Sequence, residues 1–338
     1  MNDTLLMRAP MALVPVLLFL GALVQGDSYK LMRFKTVLAI AAAGVLAAGL
    51  SYVANTWAYA HFPGDFQAYS RYVSPWIEEL LKAVVLIYLI RTRRVGLPVD
   101  AGIAGFAIGT GFALVENLYY LASRPDTALS VQVIRGFGTA IMHGGTTTVL
   151  AMISVTLYER RPNGGLQLML PGYLAAVLLH AGFNQLLMRP ALATLATVLV
   201  LPFVIYLVFE HSERVLREWL DADLDSKVQL LELIKSGGFL DSRLGRVLQS
   251  LRDRFKGEDL ADMLCLLRLH GELALRAKGV LLLRESGMEE LPIDEETQDK
   301  LAELAQLERA IGRTGMLALR PLMMATGKDL WQLRLLER

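Results

Sequence analysis

Residues 99–122 read VDAGIAGFAIGTGFALVENLYYLA. A bilayer core takes about 20 mostly apolar residues in helical form, so this run is long enough to cross one. It carries a glutamate, Glu116, at a depth where charge is costly. Gly105 and Gly109 in the same run form a GxxxG pair, and small residues at that spacing let helix backbones approach closely. Comparable runs occupy residues 9–25, 37–60, 75–90, 131–157, 166–188 and 190–209, which gives about seven expected spans. The run at 75–90 is short for a full crossing, and the break between the last two is tight.

Composition agrees with this reading. The chain of 338 residues is 54% hydrophobic and 20% charged, with mean hydropathy +0.41, which excludes an ordinary soluble enzyme. Residues 1–209 hold 14 Lys and Arg against 9 Asp and Glu, whereas residues 210–338 hold 20 against 24. The fold class expected is all-α: a polytopic membrane helix bundle at 1–209 followed by a C-terminal helical domain at 210–338. A net charge of +1, with no basic stripe, argues against nucleic acid as a partner. The single cysteine, Cys265, excludes a disulfide framework and a cysteine-built zinc site.

The loops alternate in basic charge. Lys30, Arg33 and Lys35 lie in the first, Arg91, Arg93 and Arg94 in the third, and Arg160 and Arg161 in the fifth. The loops between them hold one arginine each: Arg71, Arg124 and Arg189. Basic loops stay in the cytoplasm, so the N-terminus is expected outside and the C-terminal domain in the cytoplasm. Reading the first run as a cleaved signal peptide would leave Lys30, Arg33 and Lys35 outside, against that rule. Beyond residue 209, apolar residues recur at helical spacing, as in Val215, Leu216, Trp219 and Leu220, and in Leu260, Leu264 and Leu267. Breaks are expected at residues 236–238, near Gly257 and at 286–292. The plain reading of this domain is a small helical bundle; the sharper one is a regulatory or partner-docking module.

Arg135 starts its span and can snorkel to the surface. Glu78, Glu79, Lys82, Glu116, His143 and His180 cannot be set aside so simply, because they fall in four consecutive spans. With helices of alternating direction, Glu78, Glu79, Lys82, Glu116 and His180 come to one layer near the outer face, and His143 reads as deeper. Lys82 can pair with Glu78 at i,i+4 or with Glu79 at i,i+3. Glu116 shares a helix face with Tyr120, and His180 with Asn184, while Asn117 points toward a neighbouring helix. Taken singly, these residues also fit structural parts: an interfacial ion-pair group, a hydrogen-bonded core histidine, helix glue or interfacial aromatics.

The segment WIEELLK at 76–82 resembles the EExxK signature of the PrsW family of intramembrane proteases. GTGFALVEN at 109–117, followed by Tyr120, is similar to that family's GxGF…EN…Y run; His143 matches its third motif and HAGFN at 180–184 its closing HxxxN element. The four occur in the family's order over residues 75–190. The family sits within the wider group of CAAX-processing and bacteriocin-processing membrane proteases. The resemblance implies a bacterial inner-membrane peptidase acting on a membrane-anchored protein, such as an anti-sigma factor or similar signalling protein.

The residues themselves limit the chemistry. The spans contain no arranged Ser/His/Asp set, since Ser154 and the run Thr146 to Thr148 lack an evident base, and there is no HExxH zinc helix. What remains is carboxylates, two histidines and an amide. Glu78 or Glu79 can activate water with Glu116 positioning it, while His143, His180 and Asn184 polarise the carbonyl; Lys82, Asn117 and Tyr120 support them. A metal reading uses Glu79, Glu116, His143 and His180 as candidate ligands for a divalent ion such as zinc. The sequence reading favours no cofactor, because Asn and Lys are poor companions for zinc. The competing functions are an ion-coupled transporter and a signalling receptor whose polar cluster is structural; the absence of an evident internal repeat weighs against the transporter.

Overall fold

The computed structural model describes residues 3–123, 128–161, 164–185, 190–236, 242–252, 254–288, 293–323 and 331–337. Its helices are α1 (Asp3–Gln25), α2 (Phe34–Ala60), α3 (Phe66–Tyr72), α4 (Ser74–Arg91), α5 (Pro98–Ser123), α6 (Leu129–Arg160), α7 (Leu170–Asn184), α8 (Pro190–Lys235), α9 (Arg243–Ser250), α10 (Gly257–Glu285) and α11 (Glu295–Met323). Short 3₁₀ turns occupy Leu166–Met169 and Arg334–Glu337. The chain divides into two compact units, Met1–Glu213 and Arg214–Arg338.

Among the described residues, four helical stretches are long and apolar enough to cross a membrane: Phe34–Ala60, Pro98–Ser123, Gly136–Arg160 and Leu166–Asn184. These lie within a few residues of the expected runs at 37–60, 99–122, 131–157 and 166–188. The expected runs at 9–25, 75–90 and 190–209 fall on α1, α4 and α8. In α4 the cause is plain: its 18 residues include Glu78, Glu79, Lys82 and Arg91. The loop positions of Arg124 and Arg189, and parts of the breaks expected at 236–238 and 286–292, lie outside the described residues.

Within the first unit, α5 is the central helix, and every residue from Val99 to Ala113 is buried. Asp100 starts it by accepting hydrogen bonds from the N–H groups of Leu97 (2.8 Å) and Gly96 (3.1 Å), which have no helical partners of their own. Glycine sets how closely its neighbours approach. A Cβ on Gly109 would strike the His143 carbonyl of α6, and one on Gly111 would strike the Ala41 carbonyl of α2. On α2 the side chains of Leu46, Leu50, Val53 and Trp57, spaced four, three and four apart, form an exposed apolar stripe. Lipid solvates such a stripe where water would not. Asp65 caps α3 by accepting from the Ala68 N–H at 2.7 Å, and Pro75 lies in the first turn of α4.

The second unit has its own core. Met263, Leu266, Leu267, Leu269, Leu273 and Ala277 of α10 pack with Leu304, Ile311 and Leu319 of α11. Gly312 interrupts α11 at φ 66°, in the left-handed region that glycine tolerates.

Candidate active site

Four helices of the first unit bring together the ionisable residues that their spans should not tolerate. On α4, Glu79 and Lys82 lie one turn apart and are fully buried, with Lys82 Nζ 2.7 Å from Glu79 Oε1. The same oxygen accepts from His180 Nδ1 at 2.8 Å and from the Thr146 hydroxyl at 3.3 Å. Glu79 Oε2 is also buried, but has no hydrogen-bond partner among the described residues. Three donors therefore hold one carboxylate oxygen and leave the other unengaged.

Lys82 is shared between two helices. Its Nζ lies 2.8 Å from Nδ1 of His143 on α6. With the lysine ammonium as donor, Nδ1 accepts, and the proton of the ring sits on Nε2. That nitrogen is 2.5 Å from Oε2 of Glu116 on α5. His143 and His180 meet edge to face, with ring centroids 4.9 Å apart. Glu78 lies toward the rim: the Ser74 hydroxyl donates to its Oε1, and its Oε2 is 3.8 Å from His180 Nε2. The exposed edge of the cluster is carboxylate, since the Glu78 and Glu116 side chains are 15% and 25% exposed while His143 and His180 are at most 3% exposed. Buried charges need such partners, because an isolated one costs several kcal/mol.

The remaining expected residues have other engagements. Asn184 Nδ2 donates to the Ser70 carbonyl at 3.0 Å and ties α7 to α3. Asn117 Nδ2 donates to the Gly136 carbonyl at 2.9 Å, joining α5 to α6. The Tyr120 ring packs against Tyr119 with centroids 5.9 Å apart. The sequence reading passed over Thr146 for want of a base beside it. Its hydrogen-bond partner is Glu79, 67 positions away in the chain; the available local signal is that Thr146 follows His143 by three residues and shares its helix face.

Glu78, His143 and His180 can each direct one ligand atom to a common point, with the three atoms within 4.8 Å of one another. Two imidazoles and a carboxylate are the protein donor set of many catalytic zinc sites. His180 fits best, because Glu79 holds its Nδ1 and leaves Nε2 as a lone-pair donor, the usual outer-shell arrangement of a ligating histidine. His143 can ligate by giving up one of its two bonds, to Lys82 or to Glu116. The carboxylate of this trio is Glu78, which was not among the ligands expected from sequence; the expected carboxylates, Glu79 and Glu116, lie outside it.

Residues 31–209 match the family model for PrsW family intramembrane metalloproteases. No curated protein and no solved structure matches the chain.

Proposed function

The chain belongs to the PrsW family of intramembrane metalloproteases, and on that premise we propose that Glu79 is the general base of a peptidase that cuts membrane-anchored proteins. The observation that carries this reading is the division of labour within the Glu79 carboxylate. Lys82, His180 and Thr146 fix Oε1, which orients the side chain, while Oε2 is buried without a partner among the described residues. An oriented carboxylate oxygen with a free lone pair, shielded from bulk water, is suited to take a proton from an attacking water. Lys82 supplies the counter-charge, and Glu116 accepts a hydrogen bond from His143 Nε2, the bond that this ring would give up on binding a metal while Lys82 still holds its Nδ1.

Glu78, His143 and His180 would hold a divalent ion such as zinc. Such an ion supplies Lewis acidity toward the substrate carbonyl and lowers the pKa of water. This reading replaces the metal-free preference drawn from sequence, and family membership sets aside the transporter and receptor alternatives. Asn184 spends one N–H of its amide on the Ser70 carbonyl, which ties it between α7 and α3, and its second N–H is the one that would polarise the substrate carbonyl.

The substrate class we infer is a membrane-anchored signalling protein of the anti-sigma-factor kind, cut near the outer face. In this picture seven helices span a bacterial inner membrane with the N-terminus outside. Residues 1–209 form the protease bundle, and residues 210–338 form a cytoplasmic helical domain that can receive a regulatory partner. Alternating basic loops support that orientation.

Comparing membrane proteomes of strains with the wild-type chain and with Glu79→Gln tests the assignment and identifies the substrate. Glutamine keeps the shape and cannot accept the proton, so a full-length membrane protein should accumulate uncut. The purified wild-type chain should carry near-stoichiometric metal and lose cleavage on chelation, with Zn²⁺ restoring it. Undiminished processing by a folded Glu79→Gln chain would overturn the assignment.

A further inference from the structure

The Lys82 ammonium reaches two acceptors on two helices at once, Glu79 Oε1 at 2.7 Å and His143 Nδ1 at 2.8 Å. Lysine is a poor choice for such fixed geometry, because its stem is flexible and its head is a point charge with no directional fork. Something else must hold the head in place. The side chain is fully buried, so bulk water is not the answer. The ring of Phe112 is: its centroid lies 4.6 Å from Lys82 Nζ. The same ring packs on His143 with centroids 4.9 Å apart. Ala47 and Ala48 of α2 pack against Phe112, with Leu81, Val85 and Val115 around them, so the ring is itself fixed. Phe112 precedes Glu116 by four residues on α5, so one helix face presents both the ring and the carboxylate that meets His143.

We propose that Phe112 is a positioning residue of the active site, its ring face holding the Lys82 ammonium by a cation–π contact so that lysine orients Glu79 and His143 together. This rests on the reading of Glu79 as the base. An aromatic face attracts a cation through its quadrupole, most strongly where both are desolvated, as they are here. A ringless side chain of equal volume would fill the space but exert no such pull. The ring offers no acid, base or ligand atom, and acts through Lys82.

Fluorination tests this with shape nearly constant. Phe112 is replaced in the full-length chain by mono-, tri- and pentafluorophenylalanine, which weakens and then reverses the quadrupole. The probe is the membrane protein that accumulates uncut in the Glu79→Gln strain. Expected is a stepwise fall in kcat reaching about tenfold to thirtyfold, the rate equivalent of one desolvated cation–π contact, with KM unchanged. A second readout needs no substrate: the thermal midpoint should fall by about 2–4 °C or more across the series. It should stay flat in a Lys82→Met background, because the coupling is then absent. Equal midpoints across the series in both backgrounds, or wild-type kcat in the pentafluoro chain, overturn the proposal. If Glu79→Gln is inactive while the fluorinated chains cleave normally, this inference fails and the assignment of the base stands. If Glu79→Gln cleaves, the assignment itself fails, and the midpoint series still decides whether the ring holds the lysine.

Discussion

Asp27 lies in the loop after α1 and is 2% exposed. Its carboxylate accepts from the N–H groups of Tyr29 (3.2 Å) and Leu31 (2.6 Å), which fixes the loop. Burial pushes its pKa up to about 6; the hydrogen bonds from Leu31 and Tyr29 oppose the rise, and the nearby charge of Glu213 adds to it. Glu213 of α8 is held close because its two oxygens accept from the Ser28 N–H and hydroxyl, each at 3.2 Å. The folded chain therefore binds the Asp27 proton more tightly than the unfolded chain, whose aspartate titrates near ~4. Stability from this residue is complete below about pH 4 and is lost as pH rises through about 6, at a cost of order 3 kcal/mol. Asp27→Asn has no proton to lose, although it gives up one of the two acceptors. The thermal midpoint of this variant, measured against wild type from pH 4.5 to 7, should move in its favour as pH rises. Parallel midpoint curves would show that Asp27 does not titrate in that window. Single residues also mark the limit of local spacing. Spacing offered Lys82 either Glu78 or Glu79, and the structure pairs it with Glu79, because Ser74 and the His180 side occupy Glu78. The second partner, His143, lies 61 positions away, and no local pattern encodes it.

At the scale of helices, α5 is a spacer whose glycines fix the distances to α2 and α6. A Cβ on Gly109 would collide with the His143 carbonyl and come within 2.6 Å of Gly144 Cα. Both obstacles are backbone and cannot turn aside, so Gly109→Ala must push α6 away from α5 at the residue that meets Lys82 and Glu116. Misplacement on the scale of 1 Å costs about 10²-fold in rate. Cleavage should fall by about that much while the chain still inserts. Gly182 on α7 is the control, since nothing lies within 4 Å of its Cβ position. Gly182→Ala should leave cleavage unchanged and stabilise the helix by about 0.5–1 kcal/mol. Normal cleavage by Gly109→Ala would contradict the close crossing. Much of this layer was legible: the apolar runs at 37–60, 99–122, 131–157 and 166–188 fall on α2, α5, α6 and α7, and Gly105 and Gly109 read as a packing face. The identity of what they pack against was not legible. Hydropathy records that a helix is apolar, whereas the choice of neighbour depends on contacts distant in sequence, such as Gly105 against Thr147, whose carbonyl would lie 2.6 Å from a Cβ at position 105.

For the whole molecule, the two units make different demands. Glu78, Glu79, Lys82, Glu116, His143 and His180 all fall in Met1–Glu213, and the family match ends at residue 209. Arg214–Arg338 has a separate leucine-rich core between α10 and α11 and holds none of these residues. The sequence showed this contrast as a shift from sparse to dense charge, but it did not show that Glu213 still belongs with the first loop through Ser28. That detail decides where a truncation can be made. A chain ending at Arg217 keeps Glu213 on Ser28; one ending at residue 209 loses both bonds and the first loop's anchor on α8. In reconstituted bilayers, the chain ending at Arg217 should retain its metal and cleave within about tenfold of the full-length rate, because each group that contacts Glu79 or either histidine is still present. The chain ending at residue 209 should unfold at a lower temperature, by about the worth of one or two hydrogen bonds to a charged group, ~1.5–3 kcal/mol each. Metal content by elemental analysis separates a lost site from a slow one. If the Arg217 truncation inserts, keeps its metal and still fails to cleave, the second unit takes a direct part in catalysis, and the proposed regulatory role gives way to a catalytic one.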